Sequence, residues 1–114
     1  MEDLETVKYL IENGANVNIK DNDGKTALTY SASKEYLAIV KLLVENGADI
    51  EIKDNNGWTA LMWAMHNEDL EMAKYLIEKG ADVNIKNNDG KTALDLADFE
   101  DEEMKEVLRK ALAK

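Results

Sequence analysis

The stretch Asp54-Asn55-Asn56-Gly57-Trp58-Thr59-Ala60-Leu61 joins two signals that belong at the end of one element and the start of the next. Its first four residues are turn formers: Asp bonds backbone N–H groups two residues on, and Gly takes positive φ without steric cost. Thr59 then stands where an N-cap belongs, its hydroxyl placed to accept from the free N–H groups of a short helix of about two turns. The same landmarks recur at Gly24 with Thr26-Ala27-Leu28 and at Gly90 with Thr92-Ala93-Leu94, 33 positions away on either side. A second set keeps the same interval, since Gly14, Gly47 and Gly80 are each followed by Ala (Ala15, Ala48, Ala81). Two independent landmarks on one period dictate a repeat architecture.

Working outward from the capped turn, each unit continues into a second helix with apolar residues at helical intervals. Leu37, Val40, Leu43 and Val44 supply them in one unit, and Leu70, Ala73, Leu76 and Ile77 in the next. The acidic run Glu68, Asp69 and Glu71 lies in a first turn, where the helix dipole favours anions. Gly47 and Gly80 end these helices by taking the left-handed conformation. At the third unit Asp95 follows Thr92 at capping-box spacing. The segments Val17-Asn18-Ile19 and Ile50-Glu51-Ile52 are expected to be extended flanks of the turns Asp21-Asn22-Asp23-Gly24 and Asp54-Asn55-Asn56-Gly57.

With these residues in place, the sequence resembles the ankyrin repeat family over essentially its whole length. Asp54, Gly57, Thr59, Leu61, Ala64, Leu76, Gly80, Ala81, Asp82, Val83 and Asn84 stand where the family pattern wants them. The resemblance implies an all-α solenoid of helix-turn-helix units joined by hairpin-like loops, with protein binding along hairpin tips and first helices. Two departures recur. Ala27, Ala60 and Ala93 replace the usual Pro, and Thr29, Met62 and Asp95 replace the usual His, so the Thr–His hydrogen bond typical of the family is expected to be missing. Glu35, Glu68 and Asp101 occupy the position of the glycine between the two helices. There either a left-handed residue carries about 1 kcal/mol of strain or the turn differs.

The period divides the chain as one domain, 1–114: a half-repeat cap over 1–20, repeats over 21–53 and 54–86, and a carboxyl-terminal capping repeat over 87–114. Counting back 33 positions from Leu37 lands on Leu4, so the first unit is expected to hold only a second helix, about 3–13. That leaves part of the helix over 27–32 open. The last helix runs from Asp101-Glu102-Glu103 to Arg109-Lys110, acid first and base last, as a capping unit needs.

Composition narrows the functional classes. The 114 residues carry 24 acidic and 14 basic side chains, a formal net charge of −10, which argues against phosphate-directed binding to nucleic acid or anionic membranes. Apolar residues at 45% are sufficient for a core, so the chain is expected to fold despite 33% charged residues. There is no Cys, which excludes a disulfide framework and a thiolate nucleophile and fits a reducing cytosol. The acidic amino terminus and the lack of a long apolar run point to a soluble, cytoplasmic protein. Regular repeats without Pro or Cys are also what an engineered or consensus-derived array would show.

Within the resemblance, function lies on the variable surface. The residue after the turn glycine is Lys25, Trp58 or Lys91. Ala32, Met65 and Asp98 are expected on the exposed side of the first helix, followed by Ser33, His66 and Phe99. The middle unit thus offers Trp58, Met65 and His66 as contact anchors, flanked by Asn55, Asn56, Lys25, Ser33 and Asn67. Tyr30 and Trp63 either extend this surface or pack between repeats. The expected partner is a protein. Self-association is the alternative, through the truncated amino-terminal face or through Tyr30, Ala32, Trp63 and Met65. A designed hydrolase is a further alternative, because Ser33, His66 and Asp98 or Glu100 fall on one line across successive helices, although no nucleophile elbow accompanies Ser33. No cofactor or metal is expected. Aligning Gly24 with the glycine of a calcium loop puts Ile19 and Tyr30 at ligand positions, and one His without Cys makes no structural zinc site.

Overall fold

Three threonines start three short helices in the same way. Thr26, Thr59 and Thr92 are extended, and their hydroxyls accept from the backbone N–H of Thr29, Met62 and Asp95 at 3.3, 3.3 and 3.4 Å. They open α2 (Ala27–Ser33), α4 (Ala60–His66) and α6 (Ala93–Leu96). The second series is α1 (Leu4–Glu12), α3 (Leu37–Glu45), α5 (Leu70–Glu78) and α7 (Glu102–Leu112). Asp3, Asp69 and Asp101 cap α1, α5 and α7, whereas Tyr36 begins α3 without a side-chain cap. The computed structural model describes residues 3–97 and 101–113, and among these every regular element is helical.

The helices stack in two layers. α2, α4 and α6 follow one another in the first, and α1, α3, α5 and α7 in the second; α2 also packs on α3, and α4 on α5. Between the layers lie Leu28, Leu43, Leu61, Met65, Met72, Leu76, Met104 and Leu108, all fully buried. Each such side chain contributes about 1.5–3 kcal/mol through burial. Ala32 and Met65, expected on the exposed side of the first helix, therefore belong to the core, at 0% and 1% exposure. In a seven-residue helix packed on both α3 or α5 and the next unit, only a narrow stripe stays open. Small or flexible side chains at the seam let adjacent helices approach.

Further sequence expectations change in detail. Residues 17–18 and 50–51 form turns instead of extended flanks. The N–H groups of Asn18 and Glu51 donate to the side chains of Asn16 and Asp49, at 2.9 and 3.0 Å. The missing Thr–His bond is replaced in two of the three units. Thr29 Oγ1 accepts from the Thr26 N–H at 2.8 Å, and Asp95 Oδ2 accepts from the Thr92 N–H at 3.0 Å. Only Met62, buried in the core, leaves the middle unit without this reciprocal bond. Asp101 is not at the inter-helix turn position: its φ is −85° and it caps α7. The caps Asp3, Tyr36 and Asp69 are 33 positions apart, but Asp101 follows Asp69 by 32, so the last unit is one residue shorter between its helices. Asp98, Phe99 and Glu100 lie outside the described residues.

Glu35 and Glu68 do adopt positive φ, at 64° and 57°, where a Cβ crowds the following carbonyl. Replacing exposed Glu35 by Gly removes that crowding but adds freedom to the unfolded chain. We expect Glu35→Gly to gain about 0.5–1 kcal/mol net, read as a rise of a few degrees in the thermal midpoint; an unchanged or lower midpoint would sink this account.

Between units, an asparagine stitches one loop to the next. Asn18 donates from Nδ2 to the Gly47 carbonyl at 3.3 Å and accepts at Oδ1 from the Asp49 N–H at 2.8 Å. One unit later Glu51 accepts from the Asp82 N–H at 3.1 Å, but an ionised carboxylate has no proton to donate. Partial burial, with Asp82 and Asp49 nearby, pushes the Glu51 carboxyl above its ordinary value despite the Asp82 hydrogen bond. A raised folded-state pKa means that the contribution of Glu51 to stability is fully present below its unfolded value and lost as pH rises through the folded one. Glu51→Gln should therefore be more stable than the parent at neutral pH, with the gap closing as pH falls through the Glu51 titration. Parallel denaturant curves at pH 7 and pH 4 check this.

Candidate functional site

The hairpin tips are built by close stacking. An added Cβ at Gly57 would sit 2.6 Å from the Asn88 backbone nitrogen, and one at Gly24 would collide with the Asn55 side-chain oxygen. Glycine at these two positions lets each tip rest on its neighbour. Asn55 and Asn88 then bind the preceding tip twice: their N–H groups donate to Asp23 and Asn56 carbonyls at 2.9 and 3.0 Å, and their amides to Asn22 and Asn55 carbonyls at 3.1 and 2.8 Å. Asn55 thus spends its amide on holding tips together.

Within the middle tip the buried Asp54 carboxylate acts as a bracket. Oδ1 accepts from the N–H groups of Asn56 and Trp58 at 2.9 and 3.0 Å, and Oδ2 accepts from the Trp63 indole N–H at 3.2 Å. One carboxylate so ties the turn to α4 and sets both tryptophans. Their ring centroids are 4.5 Å apart with planes at 45°. His66, one helical turn beyond Trp63, meets Trp58 and Trp63 edge-on at 5.3 and 6.0 Å. Lys25 of the preceding tip places its ammonium 5.1 Å from the Trp63 ring centroid. Aromatic pairs of this kind contribute about 0.5–1.5 kcal/mol each, and an exposed cation–π contact about 0.5–1 kcal/mol.

Of the eight residues expected on the surface, the structure brings Lys25, Trp58 and His66 together and leaves Asn56 exposed at the tip. Met65 is removed from the set by its burial in the core. Asn67 closes the end of α2, donating to the carbonyls of Ala32 and Ser33 at 3.4 and 3.2 Å. Ser33 Oγ donates to the Tyr30 carbonyl at 2.6 Å, while the His66 ring lies against the tryptophans; no hydrogen bond joins Ser33 to His66. Trp63 is the residue added by the geometry. Its spacing of three from His66 on one helix carried that signal.

The carboxylates of the turns are occupied by their own backbone. Asp21 Oδ1 accepts from the N–H groups of Asp23 and Lys25, each at 2.9 Å, as Asp54 does in the next unit. Among the described residues no group of three or more His, Cys, Asp or Glu is placed to hold a metal ion, and no helix is long and apolar enough to cross a membrane. The third unit shows what the bracket loses without tryptophan. Asn87 accepts at Oδ1 from the Asp89 and Lys91 N–H groups, but its buried Nδ2 has no partner, and Leu96 stands where Trp63 would be.

Asp54→Asn tests the bracket directly. In either amide orientation an N–H group faces another donor, at the indole or at the backbone. We expect a loss of about 1–3 kcal/mol in urea unfolding together with a change in tryptophan emission. Unchanged emission and stability would show that Asp54 does not hold the cluster.

A family model described as ankyrin repeats (3 copies) matches residues 1–54 and 49–112. The crystal structure of the ankyrin repeat domain of Bcl-3, a member of the IkappaB protein family, is similar at a TM-score of 0.86 and 30% identity over 92% of this chain. The match takes in 46% of that chain, so this protein spans about half of its length. No curated protein sequence matches. The capped turns, the paired helices and their stacking in 33-residue steps agree with both similarities: the chain belongs to the ankyrin repeat family.

Proposed function

We propose that this chain is a non-catalytic protein-binding scaffold whose contact surface centres on Trp58, Trp63 and His66, bordered by Lys25 and Asn56. Ankyrin repeats are generally protein-interaction scaffolds and typically have no enzymatic role. The observation that carries the reading is the aromatic cluster held by Asp54. Three rings sit within 4.5–6.0 Å of one another, and His66 is exposed at their edge. Rigid aromatic groups supply contact area at low entropic cost, which is the character of interface anchors.

The formal charge of −10 favours a basic or neutral partner surface and acts mainly on encounter and specificity. The absence of Cys fits a cytosolic setting for this contact. Self-association through the first-helix face has less support, because Ala32 and Met65 are buried and only Tyr30 remains largely exposed, at 46%.

Binders selected from a displayed protein library on the parent chain provide the test. Trp58→Ala and His66→Ala should each weaken most of them, Trp58→Ala by roughly 30-fold, while Glu78→Ala on the exposed side of α5 should not. Binders that retain full affinity for both variants would refute the assignment of the surface.

A further inference from the structure

The net charge of −10 is not spread evenly along the chain. Residues 20–34, 53–67 and 86–97, which make the tips and first helices, hold six lysines against five aspartates and no glutamate, so the acidic excess lies elsewhere. Three of those five carboxylates are spent on the backbone nearby. Asp21 and Asp54 bracket their turns, and Asp95 accepts from the N–H and the hydroxyl of Thr92 at 3.0 and 3.3 Å. The other two, Asp23 and Asp89, hold the tip position 33 residues to either side of Asn56. The middle tip therefore presents a neutral amide where its neighbours present an exposed carboxylate.

Two positions further on, cations take the flanks. Lys25, Trp58 and Lys91 are equivalent by the 33-residue period, so the aromatic cluster stands between two lysines. Lys25 already meets it, with its ammonium 5.1 Å from the centroid of the Trp63 ring, and Lys91 is exposed. Among the described residues Lys105 and Arg109 form the ion pairs with carboxylates, so neither flanking lysine has an anionic partner. Lys53, whose ammonium donates to the Lys86 carbonyl at 3.0 Å, adds a further cation along the tips. Packed helices advance about 8–10 Å per unit, which sets Lys25 and Lys91 roughly 16–20 Å apart. An extended peptide covers that span in about five or six residues.

We infer that the aromatic surface binds an acidic peptide segment of its protein partner, with a large apolar residue against Trp58, Trp63 and His66 and carboxylates on either side that reach Lys25 and Lys91. The inference rests on the contact surface proposed above and adds the chemistry of its occupant. Each flanking lysine gains the anion it lacks in the free chain, and Lys25 is held between an indole face and the incoming carboxylate. A basic segment is the poorer fit. It sets cations against Lys25 and Lys91, and at the middle tip it meets the amide of Asn56 and a carboxylate, Asp54, already bound to two backbone N–H groups and an indole. The whole-chain charge of −10 acts on approach, and at physiological salt it is screened over about 8 Å, whereas the lysines act at contact. The partner is then neutral or basic as a whole and acidic along the docked segment.

Random peptides of about twelve residues, displayed on phage and selected on the full chain after removal of those that still bind Trp58→Ala, supply the probe. The survivors should carry Asp or Glu on both sides of a large apolar residue, about five or six positions apart. A synthetic survivor should bind more weakly as salt rises. Lys91→Glu, at an exposed position, should weaken it roughly tenfold, and Lys25→Met, which keeps the apolar stem and removes the charge, roughly threefold. Asn56→Asp, which gives the middle tip the carboxylate of its neighbours, should weaken it as well. Lys74→Glu on the exposed side of α5 makes the same change in net charge as Lys91→Glu and should leave the affinity unchanged. Survivors without acidic enrichment, or an acidic survivor indifferent to both Lys25→Met and Lys91→Glu, overturn the inference and leave the contact surface standing. A selection in which every binder still binds Trp58→Ala overturns the contact surface and the inference with it.

Discussion

Each 33-residue unit has a face that it cannot bury by itself, and its neighbour must bury it. The other features described above follow from that dependence. The core is a row of leucines and methionines lying between two layers of helices, and within each layer the helices of successive units pack on one another. The tips obey the same rule in polar form, since the amides of Asn55 and Asn88 donate to carbonyls of the preceding tip. Where the neighbour is present, Leu43 and Leu76 are closed to solvent; where it is not, Leu10 is open. A single physical requirement therefore accounts for the burial of the middle of the array.

The candidate surface is a by-product of the same stacking. Asp54 belongs to the turn, and in the preceding unit the carboxylate of its counterpart Asp21 accepts from two backbone N–H groups. In the middle unit the second carboxylate oxygen finds the indole of Trp63, and the turn becomes a mount for an aromatic cluster. Lys25 reaches that cluster from the preceding tip, so the surface spans two units and depends on their spacing. A change in one turn residue can alter it without touching any exposed atom.

Much of the fold was legible because its signals are short-range. The threonine caps, the turn glycines and the period each depend on a few adjacent residues, and the helices begin where those signals lie. What the sequence did not settle was direction. In a seven-residue helix the stripe pattern is too short to say which flank is covered by the next unit, so Ala32 and Met65 read as surface and proved to be core. The roles of Asn55 and Asn67 were hidden for a related reason. Their acceptors are carbonyls 33 to 35 positions away, which residue type alone does not reveal. The reciprocal cap at Thr29 was likewise concealed, because a hydroxyl took the place usually held by an imidazole. The register of the last unit slipped by one residue because the acidic run around Asp101 offers more than one plausible cap.

The contact of Gly24 with Asn55, and of Gly57 with Asn88, also determines how the array tolerates change. Each glycine is tied to an asparagine in the following unit, not to a residue of its own turn. A larger side chain at position 24 calls for retreat at position 55, so substitutions at the tips are coupled across the boundary between units. Units of this array are therefore not freely interchangeable modules: moving one carries half of a matched pair with it and leaves the other half behind.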